Sequence, residues 1–139
     1  MDALPEWPDG TAAVLSTVAA DGAPHPIPDS LVLRSGPREL LIGLAPRRRS
    51  LENLRAGPAC AVTVMAGGDV AFTAHGRAIA FEEAAAVIGV RVAVERIAAH
   101  DHPTFAIEDG VRWRWTDERA VERDAEARAA LRRLSRPRS

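Results

Sequence analysis

The chain has no lysine and only one cysteine, and these scarcities limit the kinds of site it can carry. All 18 basic side chains are arginines, balanced by 19 acidic ones. A formal net charge of −1 argues against a protein built to bind nucleic acid. A single cysteine, Cys60, excludes an internal disulfide and any cysteine-rich metal site. Its apolar surroundings predict a small buried side chain in a reducing cytoplasm.

Long hydrophobic runs and targeting signals are also missing. No stretch approaches the ~18 consecutive apolar residues of a membrane helix. Residues 1–10 have neither the basic start nor the apolar run of a signal peptide. We therefore expect a cytoplasmic protein without a membrane partner. A length of 139 residues fits a single domain over residues 1–139, with a core at about 11–116 and a terminal helix at 117–134.

The sequence pattern is mostly β. Runs rich in β-branched residues, separated by turn signals such as Asp21-Gly22, predict strands over residues 12–18, 26–34, 39–45, 60–65 and 70–81. Pro26 and Pro28 place the second strand at an edge or a bulge, because proline cannot donate to a strand ladder. Gly76 is a candidate bulge.

The second half of the chain gives weaker signals. Residues 82–86 favour a helical turn, and the alternation that follows favours a strand to about residue 97. Residues 105–108 and 111–115 flank Asp109-Gly110 and predict a hairpin or a short paired corner. Asp117 is a plausible N-cap for a helix with an apolar stripe at Val121, Ala127, Leu131 and Leu134. Residues 135–139 should fray. Such a pattern of six or seven strands predicts an antiparallel barrel or sandwich.

An arginine cluster between two predicted strands is the most informative local feature. Residues 45–55 read Ala-Pro-Arg-Arg-Arg-Ser-Leu-Glu-Asn-Leu-Arg and predict a short helix after a strand. Helix N-termini offer unpaired N–H groups, and arginine adds planar donors, so this segment could hold a phosphate. The alternative is a solvated helix start, since arginine clusters are common in a chain this rich in arginine and alanine.

Other residues suggest weaker hypotheses. His25 lies close to the second strand and could touch a substrate. His100 and His102 are two residues apart on a predicted loop and make a poor metal site without a third ligand. Trp113 and Trp115 would share a strand face, which suits either a cofactor lid or a dimer core. Four residues of alternating arginine and tryptophan are too few to indicate nucleic-acid stacking.

An ordered set of short motifs resembles one known family, the FMN-binding split-barrel family, also called pyridoxamine-phosphate-oxidase-like. The resemblance covers about residues 11–81 and continues weakly to Trp115. It is carried by Leu15-Ser-Thr-Val18, Asp21-Gly-Ala-Pro24, Pro28-Asp-Ser30, the Arg47–Arg49 run with Ser50, Asn53-Leu-Arg55, Gly57-Pro58 and Gly76-Arg77. It implies a six-stranded Greek-key split barrel with a short inserted helix, and a homodimer with two flavin sites at the subunit interface.

The resemblance also implies how the cofactor is held. The phosphate of FMN would meet Arg47, Arg48, Arg49 and Ser50, with Asn53 in support. The flavin ring would lie along Ile27, Pro28, Asp29 and Ser30. An aromatic residue of the partner subunit, at the position of Trp113 or Trp115, would cover the ring.

Three departures from the family pattern affect the expected activity. Ser50 stands where many relatives have a lysine, and Asp29 stands where they often have an apolar residue. An acid at Asp29, near an electron-rich reduced flavin, would disfavour the anion and lower the reduction potential of the flavin. The chain also lacks the C-terminal Arg-x-His pattern of true pyridoxamine phosphate oxidases, so activity on vitamin B6 is not expected.

The resemblance therefore implies a flavin-dependent oxidoreductase that transfers a hydride between FMN and a small-molecule substrate. It implies no catalytic side chain or metal, since the cofactor carries the chemistry. Three alternatives stay open at this point: a reductase that uses the deazaflavin F420, a non-catalytic flavin or haem carrier or sensor, and a barrel whose arginine run is only surface.

Overall fold

The structure, a computed structural model, describes residues 1–135 and is mostly β. Seven strands and two helices follow one another along the chain: β1 (Ala13–Val18), β2 (Pro24–Asp29), β3 (Val32–Gly36), β4 (Glu39–Leu44), α1 (Arg49–Ala56), β5 (Ala59–Ala66), β6 (Val70–Ala84), β7 (Val87–Ala99) and α2 (Glu118–Ser135). The expected mostly-β class, with a short inserted helix and a C-terminal helix, is confirmed. Residues 136–139, where fraying is expected, lie outside the described residues.

The strand order shows that the sheet is rolled. All pairs are antiparallel, in the order β2-β1-β5-β6-β7-β4-β3, so β2 and β3 lie at opposite edges. Only Ser30 and Leu31 separate these two strands. Three peptide units span at most about 11 Å, so the two edges must lie close together. The N–H of Gly43 in β4 also donates to the Leu31 carbonyl at 2.8 Å. We call this junction, residues 28–31 beside residues 43–45, the barrel seam.

The single strand predicted over residues 26–34 is wrong, because the chain turns at the seam. The Asp29 carboxylate accepts the backbone N–H of Leu31 at 2.8 Å and ends β2. This turn divides the predicted strand in two, so the sheet has seven strands where the resemblance implied six. The edge position is confirmed, since β2 pairs only with β1. Pro24, Pro26 and Pro28 alternate along it, which removes N–H donors from one side of an edge strand.

The core fills the rolled sheet and is closed by α1. Its largest fully buried side chains include Leu15, Leu40 and Phe72. Leu51 and Leu54 of α1 point into this core. Burying such side chains contributes about 1.5–3 kcal/mol each. The packing fixes α1 directly after β4, and so fixes the helix start near the seam.

Two further predictions in the second half of the chain are wrong. Residues 82–86 form no helical turn: β6 runs to Ala84, and Ala85 and Ala86 make a two-residue hairpin to β7. Ala85 has φ +57°, a left-handed conformation that turns of this kind need and that glycine usually supplies. The sequence pattern did not reveal the turn, because no glycine marks it.

The predicted bulge at Gly76 is confirmed, since the β6–β7 register shifts between His75 and Gly76.

The predicted hairpin at 105–115 is also absent, because residues 100–117 form no strand. We call residues 100–117 the tryptophan segment. It crosses the β5–β6 turn, where Asp69 accepts the N–H of Ile107 at 2.6 Å. A Cβ on Gly67 would lie 2.7 Å from the Glu108 carbonyl oxygen, so a glycine is needed for this close approach.

Helix α2 packs on the outside of the sheet near the seam. Asp117 accepts the Arg119 N–H at 2.8 Å, which confirms it as the cap. Leu131 lies against Gly43 and Gly89, a cross-strand pair of β4 and β7 that leaves room for its side chain. The predicted stripe is only partly right, because Val121 is exposed whereas Ala127 and Leu131 are buried. Within residues 1–135, no helix is long and apolar enough to cross a membrane.

Candidate functional site

A cavity of about 580 Å³ opens at the barrel seam. This volume lies within the roughly 300–1,000 Å³ of ordinary small-molecule sites. The edge strand, the β4–α1 junction, the tryptophan segment and α2 all contribute to it. Its lining is Ala12, Pro28, Asp29, Ser30, Leu31, Gly43, Leu44, Ala45, Arg48, Val87, Val111, Trp113, Arg114, Trp115 and Asp124. Six of the residues implied by the resemblance therefore meet in one place.

Asp29 is the acidic group of the strand wall. Its Oδ1 accepts the Leu31 N–H, while its Oδ2 is buried and has no hydrogen-bond partner. Burial raises the pKa of Asp29 to about 7, against the lowering effects of the Leu31 hydrogen bond and of Arg48 and Arg128. At neutral pH this carboxyl is therefore divided between its charged and neutral forms. The expectation of a lower flavin potential, which assumes an ionised Asp29, applies only to the ionised fraction.

Helix α2 contributes a charged pair to the same region. Arg128 donates to the Ser30 carbonyl at 3.2 Å and to Asp124 at 3.5 Å. Both side chains of this pair are largely buried. The bond to Ser30 fastens α2 to the seam, and Asp124 lines the cavity.

The start of α1 offers groups for an anion. Arg48 is the N-cap residue, no side chain caps the helix, and Arg48 lines the cavity. Ser50 is buried, and its Oγ has no hydrogen-bond partner. A helix start with a guanidinium beside it can bind a phosphate or carboxylate.

Two tryptophans line the solvent side of the cavity. The rings of Trp113 and Trp115 meet edge to face, with centroids 5.2 Å apart. Trp113 donates its indole N–H to the Gly10 carbonyl at 2.7 Å. Both side chains stay exposed, at 39% and 44%. Their apolar faces are thus available to a flat ligand. The strand face that they were expected to share does not exist, because the tryptophan segment contains no strand.

The other implied site residues lie outside the cavity lining. Ile27 packs against the core, and Asn53 is buried with its amide donating to Thr17 Oγ1 at 3.0 Å. Arg47 and Arg49 are exposed beside Arg48. Ser50 is close in sequence but buried in the helix. The arginine run thus supplies one lining side chain, Arg48, rather than three.

The histidines form no metal site. His100 is within 2.7 Å of Thr73 Oγ1, and His102 is within 2.8 Å of Thr104 Oγ1. Among residues 1–135, no group of three or more His, Cys, Asp or Glu side chains could hold a metal ion.

Sequence reasoning missed several lining residues. Val87 follows the hairpin that was read as a helical turn, so its place was not foreseeable. Asp124 and Arg128 stand four residues apart, a spacing that indicates an ion pair on a helix. That signal was present, but it could not say where α2 would dock. Arg114 alternates with the tryptophans and also lines the cavity.

Comparison with known proteins agrees with this description. The family model described as Pyridoxamine 5'-phosphate oxidase matches residues 3–133, nearly the whole chain and more than the motifs alone suggested. No protein in the curated set matches the chain significantly in sequence.

Solved structures share the fold at low sequence identity. An F420 reductase is 16% identical, with a TM-score of 0.59 over 70% of this chain and 100% of its own. A candidate pyridoxamine 5'-phosphate oxidase from Lactobacillus delbrueckii is 20% identical, with a TM-score of 0.60 over 71% and 96%. The styrene monooxygenase flavin reductase SMOB from Pseudomonas putida S12 is 12% identical, with a TM-score of 0.57 over 67% and 81%. The fold is thus that of the split barrels, and the family match shows that the chain belongs to the pyridoxamine 5'-phosphate oxidase family.

Proposed function

We propose that this protein binds FMN in the seam cavity and transfers a hydride between the flavin and a small-molecule substrate. The observation that carries the proposal is the meeting of a helix-start arginine, an edge strand and two exposed tryptophans around one cavity. Family membership and the flavin reductase among the neighbours support it.

The residues fit the group, because Asp29 lines the cavity with a buried oxygen that has no hydrogen-bond partner, and Arg48 at the helix start lines it with a cation. An unpaired buried polar atom costs about 1–3 kcal/mol, which a bound ligand can recover. Arg48 and the N–H groups of α1 would hold the phosphate. Pro28, Asp29 and Ser30 would lie along the ring.

When bound, the flavin supplies the hydride chemistry, and the protein supplies position and electrostatics. The start of α1 would hold the phosphate and so would orient the ring. The tryptophans would cover apolar surface of the ring and exclude water from it. Activity on vitamin B6 is not proposed, since the Arg-x-His pattern is missing.

We further propose a homodimer with its cofactor sites at the subunit interface, in the cytoplasm. Support comes from one face of β1 and β5, along which Val14, Val18 and Met65 are exposed. An exposed apolar sheet face of this kind is typical of an interface. No nucleic-acid or membrane partner is proposed.

A second candidate cofactor is F420, and one observation favours it. The F420 reductase is matched over 100% of its own length, by 70% of this chain. F420 is also a flat ring system with a phosphate in its side chain, so the same cavity and the same arginine would serve it.

The experiment is a visible absorbance spectrum of the purified protein, as isolated and after titration with FMN, F420 and haem. Saturation by FMN at one equivalent per chain supports the proposal, and saturation by F420 in its place selects the second cofactor. Preferential binding of haem would favour a carrier or sensor. If none of the three binds, the proposal is wrong and the arginine run is only surface.

A further inference from the structure

The strand wall contains a carboxyl group that hydride chemistry does not itself require. Asp29 lines the cavity, and its two oxygens differ in their surroundings. Oδ1 is occupied by the Leu31 N–H, whereas Oδ2 is shielded from solvent and has no partner. A buried carboxylate oxygen without a donor is unfavourable, so a ligand that placed a hydrogen-bonding group beside it would stabilise this site.

The charged groups around Asp29 come from the start of α1, from α2 and from the tryptophan segment. Arg48 at the start of α1 and Arg128 on α2 favour the ionised form, and Asp124 on α2 opposes it. Arg114 of the tryptophan segment also lines the cavity. Burial outweighs the net attraction, so the pKa of Asp29 rises to about 7.

A flat neutral ligand would shift this balance further toward the neutral acid. Most of the lining around Asp29 is apolar, including Pro28, Leu31, Leu44 and Val87. Filling the cavity removes the remaining water and penalises the charged form more strongly. A ligand phosphate at Arg48 would also offset one of the two cations that favour ionisation. Both effects favour a carboxylic acid in the complex, with a proton on Oδ2 to donate.

We propose that Asp29, in its neutral form, donates a hydrogen bond from Oδ2 to a carbonyl oxygen or ring nitrogen of a neutral heteroaromatic ligand. Ligand binding then takes up one proton from solvent when Asp29 starts ionised, and no bond other than the O–H bond forms or breaks. The inference rests on the proposed function, because it assumes that such a ring occupies the seam cavity. It makes Asp29 the residue that selects ligands with an acceptor at this edge.

The test uses riboflavin, which has no phosphate and stays neutral near neutral pH, so that only the protein titrates. Its dissociation constant is measured between pH 6 and pH 9 for the full chain. Linkage predicts that the constant rises by up to about tenfold per pH unit above 7. Calorimetry in two buffers of different ionisation enthalpy should show proton uptake on binding that grows toward one proton per chain as the pH rises.

Two substitutions complete the design. Asp29→Asn keeps a donor at the same place without an ionisable group, so it should bind riboflavin with little pH dependence and without proton uptake. Asp21→Asn is the matched control, because Asp21 accepts the Ala23 N–H in the same kind of turn but is exposed and outside the cavity lining. It should behave like the unchanged protein.

The outcomes separate this inference from the proposed function. Riboflavin binding that is independent of pH, or that tightens as the pH rises, overturns the role of Asp29 and leaves the flavin site standing. The same pH dependence in Asp29→Asn also overturns it. Failure of both riboflavin and FMN to bind at any pH removes the flavin site and this inference with it. Carbon NMR of the Asp29 carboxyl in the free protein gives a readout without ligand, and titration near pH 4 would contradict the proposal.

Discussion

The two tryptophan sites of this molecule have similar hydrogen bonds but different surroundings. Trp7 donates its indole N–H to the Val32 carbonyl at 3.0 Å, and its ring lies 5.4 Å from that of Phe72 in the core. Trp113 donates to a backbone carbonyl at 2.7 Å, yet it packs mainly against Trp115 and remains exposed beside the cavity. One site therefore stabilises the barrel, and the other presents aromatic surface to a ligand.

The same contrast divides the walls of the cavity. The seam and the start of α1 belong to the sheet and to a helix that the core holds in place. The tryptophan segment has no regular structure and few buried side chains. A rigid wall can set the position of a ligand, while a lightly held wall can adjust around it. Substitutions in the two walls should therefore separate effects on stability from effects on binding.

The largest expected effect comes from Trp7→Ala. Loss of a core-packed aromatic ring should lower the free energy of unfolding by about 2–4 kcal/mol. Trp113→Ala should lower it by less than about 1 kcal/mol and should instead weaken FMN binding, because its ring is exposed at the cavity. Chemical denaturation and FMN titration of both variants measure the two effects. Equal losses of stability would contradict the contrast.

A second effect concerns the pH dependence of stability. The pKa of Asp29 lies near 7 in the folded chain and near its ordinary value of 3.8 in the unfolded chain. The folded state therefore binds this proton more tightly, and the group's contribution to stability falls as the pH rises from about 4 to 7. We therefore compare the free energy of unfolding of Asp29→Asn with that of the unchanged protein. The difference should favour the variant by about 2–4 kcal/mol more at pH 8 than at pH 4.

Urea denaturation at the two pH values measures this gain. Asp21→Asn serves again as the control and should show no such gain, since Asp21 is exposed. A gain that is larger at pH 4 than at pH 8 would reverse the predicted sign.

A third effect distinguishes neighbouring arginines. Arg48→Ala should weaken FMN binding by about 1.5–3 kcal/mol, the usual contribution of a charged hydrogen bond. Arg49→Ala is the matched control, because Arg49 is the next residue, is also exposed and does not line the cavity. Its effect should stay below about 0.5 kcal/mol. Equal losses of FMN binding energy in the two variants would show that the arginine run acts only as a diffuse surface charge.

The smallest effect tests the turn that the sequence pattern hid. Ala85 adopts φ +57°, which costs a residue with a Cβ about 1–2 kcal/mol. Ala85→Gly should therefore stabilise the protein by about 0.5–1 kcal/mol after allowing for the entropy of glycine in the unfolded chain. Thermal unfolding measures the change, and destabilisation would show that the turn is not strained.

These residues explain which parts of the molecule were predictable. Most strands, both helices and the Asp117 cap follow from local patterns of apolar and capping residues. The turn at Asp29 was hidden because β-type residues continue on both sides of it. The hairpin at Ala85 lacked its usual glycine, and helix-favouring alanines stood in its place. Local sequence patterns predict strands and helices. They do not reveal a turn that a single side-chain hydrogen bond creates within a predicted strand.

The candidate site could be predicted from the sequence only in part. Pro28–Ser30, Arg48 and the two tryptophans were implied by resemblance, and the fold brings them together. Ile27 and Asn53 were implied too, but Ile27 packs against the core and the Asn53 amide donates to Thr17, so neither lines the cavity. Asp124 could not be foreseen, because its place depends on how Leu131 seats α2 over Gly43 and Gly89.

The most direct test of the central claim is a crystal structure of the protein with FMN. The account predicts FMN in the seam cavity, with its phosphate at Arg48 and the start of α1 and its ring between Pro28–Ser30 and the two tryptophans. FMN bound elsewhere on the chain, or a seam cavity that stays empty at saturating FMN, would contradict it.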